Sequence, residues 1–137
     1  MAKSSGSDYK RAMSEKPDPF SAPFGTLFGD HMAVAQYDQG DYHYDGPQPL
    51  ENLSLHPATH VLHYASECFE GLKAHRQVDG SVAIFRMEDS VQRMLLSIAK
   101  LRMTPPSADL LRQLIIDAST ANASFTPDPP GLSLIHI

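Results

Sequence analysis

Seven histidines, a single cysteine and eleven lysines and arginines are the chain's stock of chemically versatile side chains. His60 and His63 are three apart and invite a metal ion. Their surroundings read as extended or turn, where that spacing does not put both rings on one face. No cysteine or carboxylate stands at a recognised ligand spacing beside them, so no metal site is expected. Cys68 lies between Glu67 and Phe69 in a mostly apolar stretch, without a local signature of an activated thiolate, and reads as a small buried hydrophobe. Gly25 and Gly29 miss the spacing of a phosphate-cradling loop, and no Gly-Lys-Ser/Thr follows them. Arg93 is more informative. It lies about 200° round from Val91 at about 100° per helical residue, away from the apolar stripe. That position by itself favours a solvated arginine. The other reading is a guanidinium fork holding an anion with two parallel bonds, which needs a ligand the pattern does not supply. Phe24, Tyr64 and Phe69 leave a similar choice open. They could be core or could line an apolar pocket with the Tyr64 hydroxyl as its polar handle, and taken singly they favour the core.

Strands must position the first of these residues and helices the last. The run "HMAVAQY" (31–37) alternates Met32 and Val34 with Ala33 and Ala35 and is expected to be a strand. Residues 38–50 are turn-rich, spaced by Gly40, Gly46, Pro47 and Pro49. "LKAHRQV" and "SVAIF" flank Asp79-Gly80, which suits a two-residue type I′ turn, so a β-hairpin is expected there. The upstream "VLHYASECFEG" fits a short strand or a helical turn equally well. Val91, Met94, Leu95, Ile98 and Leu101 form one helical stripe, with Glu88 and Asp89 at its start and Lys100 and Arg102 at its end, as the helix dipole favours. A second helix restarts after Pro105-Pro106 with Ser107 as N-cap, burying Leu110, Leu111, Leu114, Ile115 and Ala118. Strands first and helices after imply the α+β class: two layers, a largely antiparallel sheet with helices on one face.

The 137 residues are about one domain's worth, with 42% hydrophobic and 20% charged content, an ordinary globular composition. A net charge of −5 with no Lys/Arg cluster argues against a nucleic-acid partner, and no apolar run is long enough to span a membrane. Residues 1–19 are polar, end in "KPDP" and read as a flexible arm. They have no apolar signal core, and Asp8 and Glu15 sit poorly with a transit peptide. With one cysteine and no internal disulfide to make, a cytoplasmic location is expected.

"FGTLFGDHM" (24–32), "PLENLSLHPATHVLHYASECFEGLKAHR" (49–76), "IFRMEDSVQRM" (84–94) and "PDPPG" (127–131), in this order and spacing, resemble the N-terminal part of branched-chain amino acid aminotransferases. These are pyridoxal 5'-phosphate (PLP) enzymes of fold type IV. The likeness covers about residues 18–131, so residues 20–131 are expected to be the N-terminal domain of such an enzyme. The resemblance implies that Arg93 binds the phosphate of PLP. It implies that Phe24 and Phe69 line the pocket for a branched aliphatic side chain, and that Tyr64 reaches such a pocket across the interface of a homodimer. Substrates would be Leu, Ile or Val with 2-oxoglutarate, all small molecules. Many relatives carry Pro where this chain has Met87, a departure at the helix start that touches no implied contact.

The chemistry implied also needs a lysine to hold the cofactor and move the substrate's α-proton. In the family this Schiff-base lysine belongs to a second, C-terminal domain, past residue 137. Lys3, Lys10, Lys16, Lys73 and Lys100 do not match it, so no catalytic residue is expected within the chain, which alone is expected to be inactive. Where relatives continue from "PPG" into a Tyr-x-Arg strand, this chain reads "LSLIHI". These six residues are one translation of CTGTCTCTTATACACATC, a sequence resembling the adapter end of transposase-made DNA libraries, so residues 132–137 are expected to be a non-native tail. Two alternatives remain open: another fold-type IV enzyme, such as a D-amino acid aminotransferase or aminodeoxychorismate lyase, or a non-catalytic binding module.

Overall fold

The structure, a computed structural model, describes residue 23, residues 25–128 and the backbone of 133–136. The arm expected at 1–19 and the candidate Phe24 lie outside the described residues. Short strands come first: β1 (His31–Met32), β2 (Gln36–Asp38), β3 (Asp41–His43) and β4 (Gln48–Pro49). Helix α1 (His60–Tyr64) then leads to the hairpin β5 (Gly71–Arg76) and β6 (Val82–Ile84). The long helices α2 (Met87–Lys100) and α3 (Ala108–Ala121) follow, with a 3-10 turn (Ala123–Phe125) and β7 (Ser133–His136). Strand pairs among these residues are all antiparallel, and the arrangement is α+β as expected. The sheet is not continuous, however. β1 pairs with β4, β2 with β3, and β6-β5-β7 form a three-stranded ladder. The strand expected over 31–37 is split because its two ends hydrogen-bond to different partners, leaving 33–35 between ladders.

The ambiguous stretch before Gly71 resolves as a helical turn: α1 ends on Ala65 in the left-handed region (φ 48°). The hairpin stands where expected, with Ala74 opposite Ile84 and Arg76 opposite Val82, but its turn is different. A type I′ turn needs positive φ at both central residues, and here Gly80 alone has it (φ 85°) within the loop. The Gly80 N–H donates to the Gln77 carbonyl (3.0 Å) and the Gln77 N–H to the Ser81 carbonyl (2.7 Å). Val78-Asp79-Gly80 is therefore a three-residue loop, with Gly80 in the left-handed bulge position. Asp79 steadies it by accepting from the Ser81 N–H (2.9 Å) and hydroxyl (2.7 Å). Those bonds favour the carboxylate and hold its pKa below the ordinary value.

β5 alternates as a half-buried strand should, with Leu72 and Ala74 buried and Gly71 and Lys73 exposed. Leu72 meets Val91, Met94 and Ile98 of α2 and Leu111 and Ile115 of α3 in one core cluster. Burial of each large side chain there contributes roughly 1.5–3 kcal/mol. The stripe ends earlier than its spacing suggested. α2 stops at Lys100, the chain turns through Arg102 (φ 57°), and Leu101 is left exposed. Leu110, Leu114 and Ala118 are half-buried. Ser107 caps α3 by accepting from the Leu110 N–H (3.1 Å). β7, within the segment read as a non-native tail, pairs with Gly71–Ala74. Ladder bonds use main-chain groups alone, so this pairing is indifferent to the origin of the side chains.

Candidate functional site

Helix α2 places Ser90 and Arg93 one turn apart, and Glu70 stands immediately before β5, which packs on the same helix. The Arg93 guanidinium closes on Glu70 with two parallel bonds, Nε to Oε2 at 2.9 Å and Nη2 to Oε1 at 2.5 Å. Nη2 also donates to the Ser90 hydroxyl at 3.3 Å. Glu70 is the sheltered partner, its side chain 11% exposed against 63% for Arg93. The carboxylate raises the Arg93 pKa above its ordinary value, mainly through these hydrogen bonds. Arg93 is thus neither a free surface cation nor a vacant fork: its Nε–Nη2 edge holds the protein's own anion. Among the described residues nothing hydrogen-bonds Nη1, and the side chain is mostly exposed. A guanidinium end of that kind fits a phosphate group.

Tyr64 and Phe69 are 72% and 81% exposed, which removes the core reading for both. Tyr64 stacks on His60 (ring centroids 4.7 Å) and meets His63 edge-on (6.4 Å). Phe69 is the chain neighbour of Glu70 and so lies beside the Arg93 pair. Phe69 and Arg93 therefore belong to one locality, whereas the ring contacts of Tyr64 are with the α1 histidines. His60 and His63 lie on a helix rather than in extended chain, so their spacing does place them on one side. Each ring is engaged elsewhere: His60 Nδ1 with the Ser66 hydroxyl (3.1 Å), His63 Nε2 with the Pro57 carbonyl (2.6 Å). Cys68 is half-buried with its thiol on Met94 Sδ (3.6 Å), and burial pushes its pKa up, the reverse of an activated thiolate.

Three residues that spacing did not single out make side-chain bonds across the fold. Glu70 is one; it stands 23 positions from Arg93, across a hairpin, and no local period links them. Arg76 donates to the carbonyls of Thr126 (3.1 Å), Ala123 (2.5 Å) and Gly80 (3.1 Å), tying the hairpin loop to the segment after α3. Asn122 behaves as an inserted peptide group. Its Oδ1 accepts from the His31 N–H (3.0 Å), and its Nδ2 donates to the carbonyls of His31 (2.9 Å) and Ala118 (2.8 Å), locking β1 to the end of α3.

The chain is similar to several characterised proteins. It is 38% identical over 124 residues to the cytosolic branched-chain-amino-acid aminotransferase of Rattus norvegicus, covering 89% of this chain and 30% of the relative. It is 36% identical over 121 residues to branched-chain-amino-acid transaminase 1 of Bacillus subtilis (strain 168), covering 88% and 34%. It is 42% identical over 126 residues to the mitochondrial branched-chain-amino-acid aminotransferase of Bos taurus, covering 88% and 31%. The chain thus spans about a third of the length of the curated relatives it matches. No protein-family profile matches it.

Proposed function

From a chain that is homologous, over nearly nine-tenths of its length, to the branched-chain-amino-acid aminotransferases, we infer that its activity belongs to the transfer of an amino group from Leu, Ile or Val to 2-oxoglutarate. The similarity across 124 residues is the observation that carries this reading. The chain supplies an N-terminal domain: an anchor for the phosphate of pyridoxal 5'-phosphate and part of the substrate wall. Bound PLP supplies the electron sink that breaking bonds at an amino acid's α-carbon requires. Arg93 would hold the phosphate through the Nη1 end of its guanidinium. Phe24 and Phe69 are assigned to the wall of the pocket for the aliphatic side chain, and Tyr64 to such a pocket across the interface of a homodimer. Apolar walls exclude water and offer no hydrogen bond that a polar side chain would need. The large exposure of Tyr64 and Phe69 supports cover from elsewhere, a second domain or the partner copy of a homodimer. Among the described residues no helix is long and apolar enough to cross a membrane. A cytoplasmic site of action is part of the proposal, and residues 132–137 are proposed to be non-native.

The test is to sequence the source DNA through codon 131 from an adapter-free template, express the frame it encodes, and assay transamination. Leucine-dependent conversion of 2-oxoglutarate to glutamate is expected. Turnover confined to D-amino acids, or none with any amino donor, would overturn the reading.

A further inference from the structure

A guanidinium on an exposed helical arginine is ordinarily free to sample many orientations, because the side chain has four rotatable bonds and a correspondingly large rotamer entropy. Arg93 is not free in this way. Its Nε–Nη2 edge lies against both oxygens of Glu70, a residue whose own side chain is largely sheltered, with Ser90 on the remaining side of Nη2. Nη1 is the part of the fork that no described residue occupies. We infer that Glu70 is a positioning residue for the anion site: it fixes the inner edge of Arg93 so that the Nη1 end is presented, already ordered, to a phosphate. This rests on the reading of Arg93 as the phosphate anchor and extends it to a carboxylate that would at first sight oppose it.

The opposing argument is electrostatic and predicts the opposite sign. A carboxylate beside an arginine lowers the local positive potential, so its removal should tighten phosphate binding if charge alone mattered. Two facts favour orientation. Arg93 is mostly exposed, where solvent and salt weaken the repulsion between Glu70 and a bound phosphate. The inner edge of the fork is also occupied by geometry that a flexible arginine would have to lose entropy to reproduce. Glu70 and phosphate therefore use different faces of one guanidinium rather than competing for the same one.

Titration of the 15N-labelled chain with inorganic phosphate, followed at the Arg93 Nε–H resonance, tests this. In the unsubstituted chain a resonance that is sharp, slowly exchanging and nearly unmoved at saturation is expected, because its Glu70 partner stays in place. A large shift of that resonance with accelerated exchange would mean that phosphate displaces Glu70, and would overturn the inference. Glu70→Gln keeps the side-chain volume but loses the two-oxygen acceptor. It is expected to weaken phosphate binding about fivefold, in line with the loss of one charge-assisted bond's orienting effect. Tighter binding in Glu70→Gln would make Glu70 a competitor and sink the proposal. Unchanged binding there, with binding lost in Arg93→Gln, would sink the positioning inference alone. Phosphate binding that survives Arg93→Gln would remove the anchor reading itself, and the inference with it.

Discussion

Gly29 and Asn122 show how one residue's missing atom can serve another's geometry. A Cβ built on Gly29 would lie 2.3 Å from Asn122 Oδ1, far inside contact distance. Asn122 cannot swing aside without giving up its bonds to both main-chain groups of His31. Gly29→Ala is therefore expected to destabilise the chain by roughly 1–3 kcal/mol, as overpacking does. Gly71→Ala, where a Cβ meets nothing within 4 Å, should stay within about 0.5 kcal/mol. Urea unfolding midpoints of the two variants make the comparison, and equal midpoints would refute the steric account. The same pairing marks the limit of sequence reading at this scale. Gly29 was visible as a glycine lacking a phosphate-loop pattern, but its need for a bare Cα comes from a side chain 93 positions away. Arg93 was legible as a residue off the apolar stripe. Its partner was not, since a choice between solvent and a bound anion leaves out the protein's own carboxylate.

Elements were more legible than single contacts, because helices and hairpins are set by neighbours in the chain. Val91, Met94 and Ile98 repeat with the helical period, and all three are buried. Ser107 was expected to cap α3, and its side chain accepts from the Leu110 N–H. Ser107→Ala should cost about 1 kcal/mol, the usual value of an N-cap. Thermal unfolding by circular dichroism would detect it as a lowered Tm, and an unchanged Tm would show that the helix is held by its packing alone. The hairpin was located correctly with the wrong turn. Asp79-Gly80 satisfies a two-residue or a three-residue loop, and the register of Ala74 against Ile84 selects the longer one. The strand over 31–37 fails for a related reason. Alternation reports that a segment can be extended, not that a single partner runs beside it.

At the scale of the whole molecule, separate elements are also held by charge. Arg112 on α3 grips Glu88 at the start of α2 with two bonds of 2.7 Å and reaches Asp109 with a third of 2.6 Å. The bonds to Arg112 lower the Glu88 pKa, as the Ser81 bonds lower that of Asp79. A carboxylate with a folded-state pKa below its unfolded value binds fewer protons when folded. Its contribution is therefore present above the unfolded value, near 4, and is lost as pH falls through the folded value. The chain should lose stability on acidification below about pH 4, beyond what ordinary carboxylates cause. Urea midpoints at pH 6 and pH 3 measure it. The double variant Asp79→Asn, Glu88→Gln should show a smaller drop than the unsubstituted chain, and an equal drop would assign acid sensitivity to other groups.

The sequence by itself determined what depends on near neighbours: the two long helices, the Ser107 cap, the place of the hairpin and the α+β class. It also carried a family likeness dense enough to name a chemistry. Only the tertiary structure decided that Glu70 holds Arg93, that Asn122 joins His31, that Arg76 ties the hairpin loop to the segment after α3, and that Tyr64 and Phe69 face outward. Those pairings close loops of tens of residues, and their geometry follows from how the buried stripes of β5, α2 and α3 pack. Hydrophobic packing is non-directional, so a pattern of apolar residues says which faces meet but not which polar groups are brought opposite one another.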